Sequence, residues 1–188
     1  MKAVLPSRCV LFFAIALAGC AADLCTKSWV FDRLGMPGGR TWWIWQDRIG
    51  FQTSLNEGAL FGMGQGGVPV FVTLSVLACI GILIWFFRGG AASSLLVTIA
   101  LGCVTAGILG NLYDRLGLPG LKWPPGHPLH QAGDLVHAVR DWILVMIGNY
   151  HWPNFNVADS MLVCGALLLV WHALRSEAQS RPAPKAEG

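Results

Sequence analysis

Four long apolar segments, held apart by two long loops and one short one, leave this chain few ways to fold. They cover 10–31, 68–87, 91–112 and 157–174 of a chain of 188 residues. A helix needs about 20 apolar residues to cross the hydrocarbon of a bilayer. The second and third segments meet that length cleanly. The first meets it only with Asp23 and Lys27 inside the span, and the fourth only with Asp159 inside. Charged residues make up 12% of the chain, against roughly 25% in soluble domains. Hydrocarbon offers backbone N–H and C=O groups no partner, so such segments cross as helices. The expected fold class is an all-α polytopic membrane protein with four transmembrane helices. Residues 1–175 form one four-helix domain, and the polar, Pro- and Ala-rich 176–188 form a disordered cytoplasmic tail.

Loop charges set the expected orientation. Lys2, Arg8, Arg88, Arg175, Arg181 and Lys185 fall on one side of the spans, opposed there only by Glu177 and Glu187. The excess of Lys and Arg places both termini in the cytoplasm and the loops 32–67 and 114–156 outside. Trp42, Trp43 and Trp45 read either as interfacial anchors or as the small core of their own loop. The net charge of +3 is scattered, with no basic stripe for nucleic acid. The six cysteines lie in or beside apolar segments without a C-x-x-C pair. They read as buried thiols acting as small hydrophobes, not as disulfides or metal ligands. At the N-terminus, Lys2, Arg8, an apolar stretch and Leu17-Ala18-Gly19-Cys20 imitate a secretion signal with a lipid-attachment box. Cleavage there would delete most of the first span, so the stretch is read as an uncleaved helix.

The acids carry the chemistry. Asp159 stands at the mouth of the fourth segment, where a carboxylate must face protein or water and is a functional candidate by default. Asn156 precedes it by three residues, and Asn111 and Asp114 repeat that spacing at the end of the third segment. Residues three apart share a helix face; helix capping or a turn is the plainer reading of Asn111 and Asp114. Asp141 sits among Val139, Trp142, Ile143 and Leu144, where desolvation disfavours its ionised form; a surface acid on an amphipathic segment is the plainer reading. Asp23 and Lys27 have the spacing of a helical ion pair. The Gly-rich stretch 56–67 lacks the lysine of a phosphate loop. It is either flexible backbone beside a substrate or a plain loop. Paired carboxylates where a bilayer meets water suit acid–base hydrolysis. A proton or ion relay in a small transporter or channel is the alternative use of the same acids.

Five pieces in order, DLCTK (23–27), NEGALFG (56–62), GNLYDR (110–115), VRDWI (139–143) and FNVADS (155–160), resemble the lipoprotein signal peptidases, or signal peptidase II. These are bacterial membrane aspartyl proteases. The resemblance spans nearly the whole chain. It implies Asp141 and Asp159 as catalytic acids, with Asp114 and Asp134 as rivals for the place of Asp141. Asp114, Asn111, Arg115, Asn156, Ala158, Asn56, Asp23 and Lys27 match supporting or substrate-binding positions. It also implies a small extracytoplasmic β-sheet and an interfacial helix, both assigned to the loop 32–67. The implied activity is endopeptidase cleavage of diacylglyceryl-modified prolipoproteins just before the lipidated cysteine, without cofactor or metal. The implied setting is the bacterial inner membrane, with lipid and prolipoprotein as partners, no nucleic acid, a monomeric enzyme and its site at the outer face. Three departures stand out: Leu24 where the family has Gln, Arg140 where it has an apolar residue, and a Pro/His-rich insertion at 116–138. His127, His130 and His137 of the insertion are expected on a solvated loop.

Overall fold

The structure, a computed structural model, describes residues 5–58 and 66–180. Four of its helices are long and apolar enough to cross a membrane. They are α1 (Pro6–Leu34), α2 (Val68–Phe87), α3 (Leu95–Arg115) and α4 (Val157–Ser180). Pro6 begins α1 at its first turn, where a missing N–H costs nothing. Gly35 ends it with φ of 79°, donating its N–H to the Phe31 carbonyl. A 3-10 turn at Ala91–Ser93 links α2 to α3, and the Ser94 hydroxyl caps α3 by accepting from the Val97 N–H.

The helices bury themselves unevenly. α2 keeps Val70, Leu74, Leu77, Ile80 and Ile84 exposed and buries Phe86, which stacks on Phe12 of α1 at 4.6 Å. Faces of that kind are solvated by lipid tails, which are as apolar as the side chains themselves. α3 is the most enclosed span. It lies between α1 and α4, and small residues let its backbone approach both. A Cβ on Gly102 would come 3.0 Å from Ile15 of α1, and one on Gly107 2.5 Å from Cγ of Leu162 on α4.

An antiparallel sheet of four strands, in the order β1-β2-β3-β4, stands at one end of the bundle. β1 (Thr41–Trp45) and β2 (Ile49–Asn56) come from the first loop. β3 (Val139–Ile147) and β4 (Tyr150–Phe155) come from the second. The fold is therefore a membrane bundle plus a sheet, not all-α, and the first loop does not supply the sheet alone. Strand pairing between loops reconciles the two: each hairpin by itself would be marginal, and together they cover four strands. The interfacial helix does not occur among the described residues of the first loop; residues 59–65 of the Gly-rich stretch lie outside them. Trp42 packs near Trp29 of α1 (5.8 Å) and Phe51 of β2 (5.9 Å) and stays half-exposed.

Other expectations shift. α4 runs on to Ser180, past the expected end at 174, while 181–188 of the tail lie outside the described residues. The leader-like box lies in mid-α1, where Gly19 packs against Ala106 and Met161. None of the six cysteines is buried in protein: Cys25 and Cys164 are exposed and the rest half-buried. The insertion is not a bare solvated loop. Trp123 is buried with Val136 and Ala138, a bridge joins Lys122 to Leu135, and His127 and His130 lie on the Trp123 ring at 4.2 and 4.3 Å.

Candidate active site

The site begins with a helix terminus. Asn156 precedes α4, and its Oδ1 accepts the Asp159 backbone N–H at 2.9 Å. Asp159 Oδ2 in turn accepts the Asn156 N–H at 3.2 Å. This is a reciprocal capping box, so the Asn-x-x-Asp spacing has a helix-starting role here as well as a chemical one. On α3 the same spacing caps nothing, because the helix continues through Arg115. There it places Asn111 and Asp114 on one buried face.

Asn111 and Asn156 join the acids. Asn111 Nδ2 donates to Asp159 Oδ1 at 2.8 Å. Its Oδ1 accepts from Lys27 Nζ at 3.0 Å and from Asn156 Nδ2 at 3.2 Å. Asn156 Nδ2 also donates to Asp141 Oδ1 at 2.6 Å. An amide both donates and accepts, so it can link two carboxylates and a cation without adding charge. Asp141 comes from β3, opposite Ser54 of β2 and beside a bulge that sets Gln52 and Thr53 against Trp142. Bulges recur beside active sites because they re-aim a side chain.

Beneath this lies a buried ion cluster. Lys27 Nζ reaches Asp23 Oδ2 at 2.6 Å and Asp114 Oδ2 at 3.0 Å. Asp114 also accepts from Arg140 Nε at 2.9 Å and from the Arg140 backbone N–H at 3.0 Å. Asp23 Oδ1 accepts the Ala158 N–H at 2.9 Å, one of the donors that a helix start leaves unpaired. Two acids and two bases, all buried, therefore balance one another. Ala158 contributes its backbone, since its methyl side chain is fully buried.

A cleft of about 790 Å³ opens over the acids, lined by Asn56, Asn111, Arg115, Asp141, Asp159 and Leu162 among others. Asp141 is pushed up to about 8, first by burial and then by the facing Asp159 carboxylate, against hydrogen bonds from Asn156 and Asn56 and the Lys27 charge. At neutral pH Asp141 thus holds a proton. Asp159, with N–H donors on both oxygens, is set as an acceptor. Arg115 makes no carboxylate pair among the described contacts. It donates Nη2 to the Gly58 carbonyl at 2.9 Å and lies 5.1 Å from the Phe71 ring.

Of the rivals to Asp141, Asp114 lies at the centre of the ion cluster and is 0% exposed. Asp134 lines a separate hollow with Glu57, Trp123 and His130. Sequence reasoning missed Arg140, which it recorded only as a departure. An arginine in an apolar strand needs a carboxylate, but only folding brings Asp114, 26 residues away, within its reach.

Fold and site together define a class: a four-helix membrane protein that presents two carboxylates to one cleft beside a sheet. The family model for signal peptidase (SPase) II matches residues 15–175. The lipoprotein signal peptidase of Rhodopirellula baltica is 47% identical over 167 residues, covering 87% of this chain and 71% of that protein. The one from Clostridium novyi is 30% identical, covering 86% and 95%. A bacterial membrane enzyme solved at 2.3 Å shares the fold, with a TM-score of 0.75 at 22% identity over 97% of this chain and 96% of that one. The chain belongs to the signal peptidase II family, a family of peptidases.

Proposed function

We propose that this chain is an aspartic endopeptidase that removes signal peptides from diacylglyceryl-modified prolipoproteins, cutting before the lipidated cysteine. It works as a monomer in the bacterial inner membrane, with both termini cytoplasmic and the cleft at the outer face. The observation that carries the reading is the placing of Asp141 and Asp159 in one cleft, bridged through Asn156. Family membership supports the same reaction.

In this reading Asp159 takes a proton from water as that water attacks the scissile carbonyl carbon. Asp141, still protonated, donates to the carbonyl oxygen and so stabilises the charge that develops there. The tetrahedral intermediate collapses as the C–N bond breaks: the proton gained by Asp159 passes to the leaving amine, and the hydroxyl that becomes the new carbonyl returns its proton to Asp141, restoring both acids. Asn111 and Asn156 hold the two acids in place through these steps. The apolar signal segment and the lipid stay in the bilayer while the bond meets water at its edge.

The test uses purified protein in detergent with a lipidated prolipoprotein. Asp141→Asn and Asp159→Asn are each expected to lower kcat by about 10²–10⁴-fold, the range of acid–base catalysis. Full-rate cleavage by both variants, or none by the wild type, rejects the reading.

A further inference from the structure

The insertion at 116–138 lies outside the cleft, yet it grips the wall that holds Asp141. That wall is the end of β2 and the two residues after it. Asn56 lies on the same sheet face as Asp141, two residues along β2 from Ser54, which pairs with Asp141, and both line the cleft; its side chain bonds Asp141 and also accepts the Gly58 N–H at 3.0 Å, forming a tight turn. Between them stands Glu57, whose carboxylate pairs with His130 of the insertion. His130 cannot easily drift. Its ring lies nearly flat on Trp123, at 4.3 Å and 8°, and Trp123 is only 7% exposed, packed with Val136 and Ala138. The far side of the turn is tied as well. The Gly58 carbonyl accepts from Arg115, and the Arg115 carbonyl contacts Nδ1 of His137, at the insertion's own end, at 3.0 Å. The insertion therefore meets the turn through a side-chain ion pair on one side and through Arg115 on the other.

We propose that His130 is a positioning residue: by holding Glu57 from the Trp123 platform, it fixes the Asn56–Gly58 turn and so keeps the Asn56 amide on Asp141. The catalytic consequence rests on the peptidase reading above, whereas the link to Asp141 does not. Glu57, His127, Asp134 and His137 are the titratable groups around His130.

Two readouts on the full-length protein in detergent test this: the carboxyl titration of Asp141 by ¹³C NMR, assigned with Asp141→Asn, and kcat and KM on a lipidated prolipoprotein. In His130→Ala, loss of the Asn56 bond should move the Asp141 midpoint upward and lower kcat roughly three- to tenfold, the effect of one misplaced hydrogen bond. KM should change less than twofold. His130→Arg keeps a flat cation on Trp123 and should restore both values. An unchanged midpoint in His130→Ala overturns the proposal. So does a loss that His130→Arg leaves unrescued, which marks a merely structural role. A shifted midpoint rescued by His130→Arg in a protein that does not cleave keeps the positioning role and rejects the peptidase reading instead.

Discussion

Asp141 is a carboxylic acid that holds its proton where most carboxylates have lost theirs, since burial and the Asp159 charge push it up to about 8. The folded state therefore binds a proton that the unfolded chain, with an ordinary aspartate, gives up near pH 4. A raised acid stabilises the fold below the unfolded value and withdraws that stability as pH climbs toward the folded one. Thermal stability in detergent is expected to fall between about pH 4 and pH 8, by up to about 1.4 kcal/mol per pH unit. In Asp141→Asn the fall over that window should be shallower. Activity carries the same signature: kcat/KM should drop above about pH 8, when the proton offered to the substrate carbonyl is gone. A profile flat through pH 9 would contradict the role given to Asp141. The two asparagines have their own logic. An acid at either position would add a third carboxyl group to the cleft, whereas an amide serves two carboxyls at once.

At the scale of elements, the site depends on how closely α3 and α4 approach. Gly107 has no side chain where a Cβ would meet Cγ of Leu162 at 2.5 Å and the Ala158 carbonyl oxygen. Ala158 lies within the capping box that orients Asp159, so bulk at 107 displaces the Asp159 end of α4 as well as its packing. Gly107→Val is expected to destabilise the bundle by about 1–3 kcal/mol and to reduce cleavage beyond what the lost folded fraction explains. Comparing the thermal midpoint with the specific activity of the folded fraction checks this. If activity falls only in step with folded protein, helix approach does not set the site. The lipid-facing helix α2 should tolerate much more. It buries Phe86 and leaves most of its large side chains outward.

For the molecule as a whole, the ion cluster is the joint between bundle and sheet. Lys27 and Asp23 come from α1, Asp114 from α3, Arg140 from β3, and the Ala158 N–H from α4. Removing one partner of a buried pair leaves a charge without compensation, at about 3–5 kcal/mol. Lys27→Met is expected to destabilise by that amount in detergent melts and to silence cleavage, because Asn111 loses the donor that fixes its flip. Adding Asp23→Asn should recover part of the stability, since one stranded charge is then gone. If the double variant is no more stable than Lys27→Met, the cluster is not held by charge balance.

Much of this was legible in the chain. Spans follow from length and hydropathy, because a continuous apolar segment of that length satisfies its backbone bonds within itself only as a helix. Asp159 stood out from its place at the mouth of a span, whereas Asp141 read more plainly as a surface acid and was paired with Asp159 only through the family resemblance. The spacing of Asp23 and Lys27 on one turn pointed to their ion pair. Other relations lie beyond any local pattern. The sheet pairs residues of two loops that lie more than 80 positions apart in the chain, as in Ser54 with Asp141, and register between distant strands leaves no periodic trace in either. Arg140 looked like a departure because its partner, Asp114, is near only after folding. The Glu57–His130 pair joins one loop to the other in the same way. Sequence determined which groups enter the membrane at a cost; tertiary structure decided which of them meet, because that choice belongs to packing between segments and not to any segment alone.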